Sequence, residues 1–158
     1  MVRAIVAIDT KRGLADDHGI PWQGKLPTDV HYYHDKIQTA TILMGYGLYK
    51  ELSKPYPGGI NYVAIADKKE ALSTGFEAVL DARKFLDNAK GDVWNVGGAG
   101  LFASTFDQID ELYITQLDQD FHCTKFFPEY KNDFEMLSET TPQTENGITF
   151  TFQVWKRK

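Results

Sequence analysis

Asp29 is the residue whose surroundings best suit acid chemistry. It lies in the first turn of a predicted helix over residues 28–37, with Tyr32 and Tyr33 three and four positions later on the same side. An acid beside aromatic rings in a pocket is poorly solvated, which raises its pKa toward the range useful for proton donation. The alternative is an exposed first-turn aspartate that complements the helix dipole. The spacing alone leaves both interpretations open.

A glycine-rich turn follows a predicted strand over residues 92–96. The run Gly97-Gly98-Ala99-Gly100 opens a helix, which leaves backbone amides free to bind an anion at the carboxyl edge of a sheet. Gly98, Gly100 and Ala103 fit the dinucleotide pattern Gly-x-Gly-x-x-Ala. The match is weak, because it is not on the first strand and no acid follows at the expected distance. A tight turn that needs glycine for its backbone angles explains the same residues.

Other chemistries lack their motifs. The sequence has no nucleophile elbow, no zinc-protease helix and no phosphate loop of the Gly-x-x-x-x-Gly-Lys type. His31 and His34 share a helix, but neither has a third ligand nearby in sequence, so both are interpreted as surface residues. His122 and Cys123 adjoin in an extended segment and point to opposite sides. No metal site is predicted.

Strand and helix signals alternate along the chain. Apolar runs predict buried strands over residues 2–8, 41–44, 61–66, 92–96 and 111–117. Further helices are predicted over residues 48–52 and after Asp81, an N-cap whose helix closes at Gly91 as the C′ glycine.

The tail has a different pattern. Apolar and polar residues alternate over 148–155 after Asn146-Gly147, which predicts an antiparallel hairpin with residues near 134–138. The predicted fold class is α/β: a single domain over residues 1–158, with a mostly parallel central sheet, flanking helices and a C-terminal antiparallel hairpin.

Composition and net charge limit the classes of partner that we expect for this chain. The net charge of −5 argues against a nucleic-acid partner, and the single cysteine excludes an internal disulfide. No apolar run approaches the ~20 residues of a membrane helix, and no export leader is visible. We expect a cytoplasmic monomer that acts on a small molecule and does not bind a membrane.

Six short motifs resemble the dihydrofolate reductase family, in its order and at similar spacing. The first joins Gly19-Ile-Pro-Trp22 to Leu26-Pro-Thr-Asp29, a mobile Pro-Trp loop before the helix that bears the acid. The others are Ile42-Leu-Met-Gly45, Tyr56-Pro-Gly58, Val96-Gly-Gly98, Tyr113-Ile-Thr115 and Phe126-Phe-Pro128. The resemblance runs from Met1 to nearly Lys158. It implies an enzyme that transfers a hydride from NADPH to 7,8-dihydrofolate and forms tetrahydrofolate.

The resemblance also implies roles for individual residues. Asp29 would bind the pterin and support its protonation, Thr115 would brace Asp29, and Trp22 would order water near the acid. The substrate would be enclosed by apolar walls formed by Ile5, Val30, Tyr33, Leu52, Tyr56 and Val96. The nicotinamide pocket would be lined by Ala7 and Leu14 and closed by the loop residue Ile20. The pyrophosphate would be held by Gly97, Gly98, Ala99, Gly100, Leu101 and Phe102.

Two regions depart from the family pattern. The arginine that grips the substrate's carboxylate is replaced by Gly59, leaving Lys54 as a nearby point charge. If the carboxylate still docks there, an arginine introduced at Gly59 is expected to tighten dihydrofolate binding.

At the adenosine end, the strand end Gly45 is followed by Tyr46 and Leu48 where the family has Arg and Thr, and the third strand ends in Ile65-Ala66. Lys68 and Lys69 are then the expected contacts for the 2′-phosphate, beside Asp67.

Two other functions are alternatives. A reductase of the same fold could act on an aminopyrimidine of the riboflavin pathway or on an unconjugated pterin, which the loss of arginine at Gly59 favours. A non-catalytic nucleotide-binding module is the alternative from another class, and the retained acid and closing loop argue against it.

Overall fold

A computed structural model describes residues 1–67, 69 and 71–158. Strands and helices alternate through most of the chain, as the apolar runs predict. In chain order they are β1 (Val2–Ile8), β2 (Gly13–Ala15), α1 (Pro27–Ile37), β3 (Thr41–Gly45), α2 (Tyr46–Glu51), β4 (Asn61–Ala64), β5 (Phe76–Val79), α3 (Ala82–Asp87), β6 (Val93–Asn95), α4 (Ala99–Thr105), a 3₁₀ turn (Phe106–Gln108), β7 (Glu111–Leu117), β8 (Lys125–Phe126), β9 (Phe134–Glu139), β10 (Gln143–Glu145) and β11 (Ile148–Arg157).

The main sheet has the order β10-β11-β7-β1-β6-β3-β4-β5, and β9 also pairs with β11. The strands from β7 to β5 in this order are parallel to their neighbours, and β11 is antiparallel to β7 and to β9. The predicted fold class is therefore confirmed: a mostly parallel α/β sheet with an antiparallel C-terminal part. A separate two-stranded sheet joins β2 to β8.

The two faces of the sheet bury different helices. Along β3, Leu43 enters the core cluster that contains residues of α3 and α4, whereas its neighbours Ile42 and Met44 enter the cluster that contains Ile37 of α1. This alternation is the period of two that a strand imposes. Helices α1 and α2 therefore cover one face, and α3 and α4 cover the other.

The C-terminal hairpin differs from its prediction in one respect. Asn146 and Gly147, both with positive φ, connect β10 to β11, so the hairpin partner next to this turn is β10. The strand predicted near residues 134–138 is β9, which pairs with the other end of β11. A register shift in β11 between Val154 and Trp155 accompanies this pairing.

Several element boundaries differ from their predictions. The strand predicted over residues 61–66 is β4, which ends at Ala64. Helix α3 ends at Asp87 with Asn88 as its C-cap, so Gly91 is not the C′ glycine. Helix α2 begins at Tyr46, directly after Gly45, rather than at residue 48. Asp81 is confirmed as the N-cap of α3, because its carboxylate accepts the amide of Lys84 at 3.0 Å.

Candidate active site

Asp29 and Thr115 meet across the fold. Asp29 lies in the first turn of α1, and Thr115 lies in β7 opposite Ala7 of β1. The Thr115 hydroxyl donates a hydrogen bond of 2.6 Å to Asp29 Oδ1. Thr115 is buried and Asp29 is half-buried, so this bond fixes one carboxylate oxygen and leaves Oδ2 for other partners. The structure thus brings these two predicted site residues together.

The surroundings of Asp29 favour its protonated form. Burial raises the pKa of Asp29 above its usual value, and the hydrogen bond from Thr115 opposes this by lowering it. The negative charge of Glu145 raises the pKa further. The net direction is upward, which agrees with the first of the two interpretations of Asp29 that the spacing left open.

Aromatic side chains surround the start of α1. The ring of Tyr32 stacks on Phe152 with centroids 3.9 Å apart and an interplanar angle of 15°. The Tyr33 hydroxyl donates to the Tyr56 hydroxyl at 3.1 Å, which links α1 to the segment after α2. Burial raises the pKa of Tyr32 to about 12, and it raises that of Tyr33 as well, so both rings carry neutral hydroxyls.

Most of the expected apolar wall comes together. Ile5 and Val96 are buried in one cluster, and Tyr33, Leu52 and Tyr56 pack against it. Val30 is the exception, because it is 49% exposed and lies outside this cluster. Val30 sits next to Asp29 on α1, so its side chain remains open to a ligand from the solvent side.

The loop between β1 and α1 carries Ile20 and Trp22. Trp22 is buried with its ring edge-on to Phe121 at 5.1 Å, whereas Ile20 is 43% exposed. Of the two residues predicted to line the nicotinamide pocket, Leu14 is buried and Ala7 is half-buried. The loop thus has a fixed base and an exposed tip.

A buried carboxylate missed by sequence analysis holds the base of this loop. Asp9 is 1% exposed, and its Oδ1 accepts the amides of Lys11 at 2.9 Å and Gly13 at 2.7 Å. Its Oδ2 accepts the amide of Phe121 at 3.0 Å, which ties the loop to the segment before β8. An Asp two residues before a polar pair is a common turn signal, but the bond to Phe121 spans 112 positions and has no local signature.

The glycine turn after β6 suits a negatively charged ligand. A side chain at Gly97 would overlap the Phe102 ring, whereas Gly98 and Gly100 face open space. The first helical turn of α4 begins at Ala99, so amides at this end lack partners within the helix. The residues present therefore fit the pyrophosphate of a dinucleotide, which is the cofactor group that the sequence resemblance implies there.

Phe102 does not belong to that cradle. Its amide donates to Gly98 O at 3.0 Å within the helix, and its side chain is 1% exposed in the core beside Leu101. Neither its amide nor its ring is available to a phosphate. The sequence prediction for Phe102 is wrong as a contact, and the buried side chain of Leu101 is likewise structural.

The residues expected to contact the adenosine of the cofactor lie at the start of α2 and just after β4. Gly45 donates to Gly97 O at 2.6 Å, which brings the start of α2 next to the glycine turn. Leu48 is half-buried and Ile65 is buried, whereas Ala66 and Lys69 are exposed. Lys68 lies outside the described residues.

Lys50 is a cation that sequence analysis missed at this end. Its Nζ lies 5.4 Å from the centroid of the Tyr46 ring, which itself stacks on Tyr49 at 5.6 Å. Lysine four positions after a helical tyrosine falls on the same face, so the spacing alone contained this signal. A positive charge therefore reaches the position where the family pattern has arginine.

Backbone atoms fill the space beside residue 59, where the family has the arginine that binds the substrate's carboxylate. A Cβ atom on Gly59 would overlap the carbonyl oxygen of Ala40. Lys54, the alternative cation, is exposed. His31 and His34 are both exposed. Among the described residues, no group of three or more His, Cys, Asp or Glu side chains could hold a metal ion.

Comparison with known proteins gives matches that cover 94% or more of the chain. The family model for dihydrofolate reductase matches residues 1–157. The chain is 26% identical to a dihydrofolate reductase of Bacillus subtilis, over 100% of this chain and 95% of that protein. It is 28% identical to a dihydrofolate reductase of Staphylococcus aureus, over 94% of this chain and 92% of that protein. It superimposes on a dihydrofolate reductase from Enterococcus faecalis, complexed with NADP(H) and RAB-propyl, with a TM-score of 0.87 at 22% identity, covering 100% of this chain and 96% of that one.

Proposed function

Because the chain belongs to the dihydrofolate reductase family, we propose that it transfers a hydride from NADPH to 7,8-dihydrofolate and so forms tetrahydrofolate. The observation that carries the proposal is the 2.6 Å bond between Thr115 and Asp29, a half-buried acid of raised pKa among aromatic rings. When bound, NADPH supplies the hydride that reduces the imine of the pterin. The chain's own groups orient the substrate and make a proton available to it.

Asp29 both binds and supports protonation. With Oδ1 engaged by Thr115, Oδ2 is free to accept the amino and ring N–H groups of a pterin. A raised pKa keeps Asp29 protonated to a higher pH than an exposed aspartate, which favours general acid catalysis. Trp22 contributes by ordering water at the acid from the loop before α1.

The loop that carries Ile20 excludes water. Asp9 fixes the base of this loop through the amide of Gly13, so the tip can close over Ala7 and Leu14 while the base remains in place. Removing solvent from the site strengthens its electrostatic interactions and keeps the reacting atoms in position.

The cofactor would be held along the carboxyl edge of the parallel strands. The amides of Gly98, Ala99 and Gly100 would bind the pyrophosphate at the start of α4. The adenosine would be lined by Gly45, Tyr46, Leu48, Ile65 and Ala66, and its 2′-phosphate would be held by Lys68 and Lys69. Lys50, whose Nζ lies over the Tyr46 ring, would be a further cation at this end.

Replacing both Lys68 and Lys69 with alanine is expected to lower kcat/KM for NADPH about 10-fold, because one charged contact contributes ~1.5 kcal/mol. The value for NADH should remain nearly unchanged, since NADH has no 2′-phosphate. Steady-state kinetics with both cofactors measures this. Lys50→Ala is the matched comparison. If this variant loses kcat/KM for NADPH but not for NADH, and the double variant loses neither, the contact with the 2′-phosphate belongs to Lys50 on α2. If kcat/KM falls equally for NADPH and NADH, these lysines do not contact the 2′-phosphate.

The direct test of the reaction is to mix the purified protein with NADPH and dihydrofolate and follow NADPH absorbance near 340 nm. We expect a decrease that requires both compounds and that a folded Asp29→Asn variant shows only weakly at neutral pH. Stable absorbance with a folded wild-type protein would contradict the proposed activity.

Reduction of an unconjugated pterin is the second candidate, because two features narrow the end of the site that would take a substrate tail. The Ala40 carbonyl fills the place of a side chain at Gly59, and the Tyr33 and Tyr56 hydroxyls are joined at 3.1 Å. Comparing kcat/KM for dihydrofolate and for a dihydropterin without a glutamate tail distinguishes the two substrates.

The wider setting follows from the same proposal. We propose that residues 1–158 act as a single domain and as a cytoplasmic monomer that binds small molecules rather than nucleic acid, in keeping with a net charge of −5. In the described part of the chain, no helix is long and apolar enough to cross a membrane.

A further inference from the structure

Glu145 reaches the active-site helix from the other end of the chain. It is the last residue of β10, and its Oε1 accepts the amide of Thr28 at 3.1 Å. Its Oε2 accepts the Thr28 hydroxyl at 2.5 Å. The next residue, Asn146, donates through its side chain to Lys25 O at 2.7 Å. The hairpin turn is therefore attached to the residues on both sides of Leu26, where α1 begins.

Helix α1 needs this contact because its own N-terminus supplies no cap. The N-cap residue is Leu26, which has no side-chain acceptor, and Pro27 has no amide hydrogen. Thr28 is thus the first residue of the helix whose amide requires a partner, and Glu145 provides it. A carboxylate at this end also complements the positive end of the helix dipole.

The same carboxylate places a negative charge beside Asp29. Glu145 is half-buried and forms no salt bridge with the cations that the structure describes. Its charge is therefore neither fully solvated nor neutralised by a partner. Two neighbouring carboxylates resist ionising together, so the charge of Glu145 raises the pKa of Asp29.

The other groups around Asp29 do not provide a comparable charge. On α1, the hydroxyls of Tyr32 and Tyr33 are neutral because burial raises their pKa, and Lys36 places its Nζ over the Tyr32 ring at 5.4 Å. Strand β7 contributes the hydroxyl of Thr115. Strand β11 contributes the apolar ring of Phe152, which stacks on Tyr32.

We propose that Glu145 is a positioning residue of the active site: through its two bonds to Thr28 it caps α1 and holds a negative charge at the residue next to Asp29. This inference rests on the proposed role of Asp29 as the active-site acid. It assigns a function in the reaction to the β10–β11 turn, which contributes no residue to the substrate walls.

The charge is tested with Glu145→Gln, which keeps a side-chain oxygen for one of the two Thr28 bonds and removes the charge. We expect the ionisation midpoint of Asp29 to fall, since its carboxylate form is no longer repelled. The midpoint is measured by ¹³C NMR of carboxyl-labelled aspartate, and subtraction of the Asp29→Asn spectrum identifies the Asp29 signal. Thr28→Ala is the matched control, because it removes the 2.5 Å bond but leaves the carboxylate in place. Its midpoint is expected to stay near that of the wild type, although its thermal stability falls.

The pH profile of hydride transfer gives a second measurement. In Glu145→Gln the rate is expected to start falling at a lower pH than in the wild type. An unchanged or raised Asp29 midpoint in Glu145→Gln would overturn the proposal, and so would an equal fall in Thr28→Ala. If Glu145→Gln does not fold, Glu145→Ala is titrated in its place with the same expected direction. A folded wild-type protein that fails to oxidise NADPH with dihydrofolate would remove the proposed function, whereas the NMR titration would still decide the influence of Glu145 on Asp29.

Discussion

Replacing Asp29 with asparagine is expected to lower the rate of hydride transfer at neutral pH by roughly 10²–10⁴-fold, the loss typical of a missing general acid. Asparagine has nearly the same shape and still accepts the Thr115 hydroxyl, so the 2.6 Å bond and the start of α1 can persist. The loss should therefore come from chemistry rather than from unfolding. Single-turnover measurement of NADPH oxidation separates the hydride step from product release.

The pH dependence of the same variant distinguishes an acid from a simple binding residue. At low pH the substrate arrives already protonated, so much of the activity of Asp29→Asn should return. The wild-type rate should fall as pH rises through the raised pKa of Asp29, because the protonated form of the acid is then lost. Thr115→Ser is the matched control, because it keeps the hydroxyl on Asp29 and should keep the wild-type profile. Unchanged turnover of Asp29→Asn at pH 7 would end the assignment.

The central strands were predictable from the sequence because they are buried on both faces. Strand β3 is a continuous apolar run with three fully buried residues, Ile42, Leu43 and Met44. Strand β5 was missed because it is an edge strand with two exposed central residues, Glu77 and Ala78. A short strand whose central residues are exposed leaves little hydrophobic pattern in the sequence.

The paired strands β2 and β8 were missed for another reason. Each has at most three residues, and Gly13 lies in one of them because a side chain there would come within 3 Å of Cys123 and Asp9. Such a short strand is set by tertiary contacts, which no window of sequence contains. The ending of α3 shows the same limit: its amphipathic pattern continues to Ala89, but the helix ends at Asp87.

Within the site, the family motifs brought together residues that are far apart in sequence, which local spacing could not do. Asp29 and Thr115 lie 86 positions apart, and only the family resemblance, which the comparisons confirm, placed them together. Glu145 lies 117 positions from Thr28, and no motif covers it, so its contact became visible only in the structure. Residues that act through local spacing, such as Asp81 at the start of α3, were accessible from the sequence alone.

Introducing arginine at Gly59 is expected to destabilise the protein rather than tighten dihydrofolate binding, contrary to the expectation from sequence. The first side-chain atom would overlap the Ala40 carbonyl oxygen, and this segment cannot easily move. Ala40 donates to Ile37 O at 3.0 Å, and Ile42 donates to Ile60 O at 2.9 Å, so hydrogen bonds hold the chain on both sides of the overlap. Overpacking costs about 1–3 kcal/mol, which corresponds to a fall in Tm of roughly 2–12 °C for a chain of this size.

Gly59→Ala separates the overlap from the charge, because it adds only the Cβ atom. We expect Gly59→Ala and Gly59→Arg to lose similar stability in thermal and urea unfolding, since both carry the atom that meets Ala40. Lys54→Arg is the matched control: it places a guanidinium near the same end of the site from an exposed position, and it should keep the wild-type Tm. Lys54→Ala should raise KM for dihydrofolate if this lysine takes the carboxylate as a point charge. A Gly59→Arg variant with the wild-type Tm and a lower KM for dihydrofolate would instead show that the Ala40 segment gives way and that the carboxylate docks at residue 59.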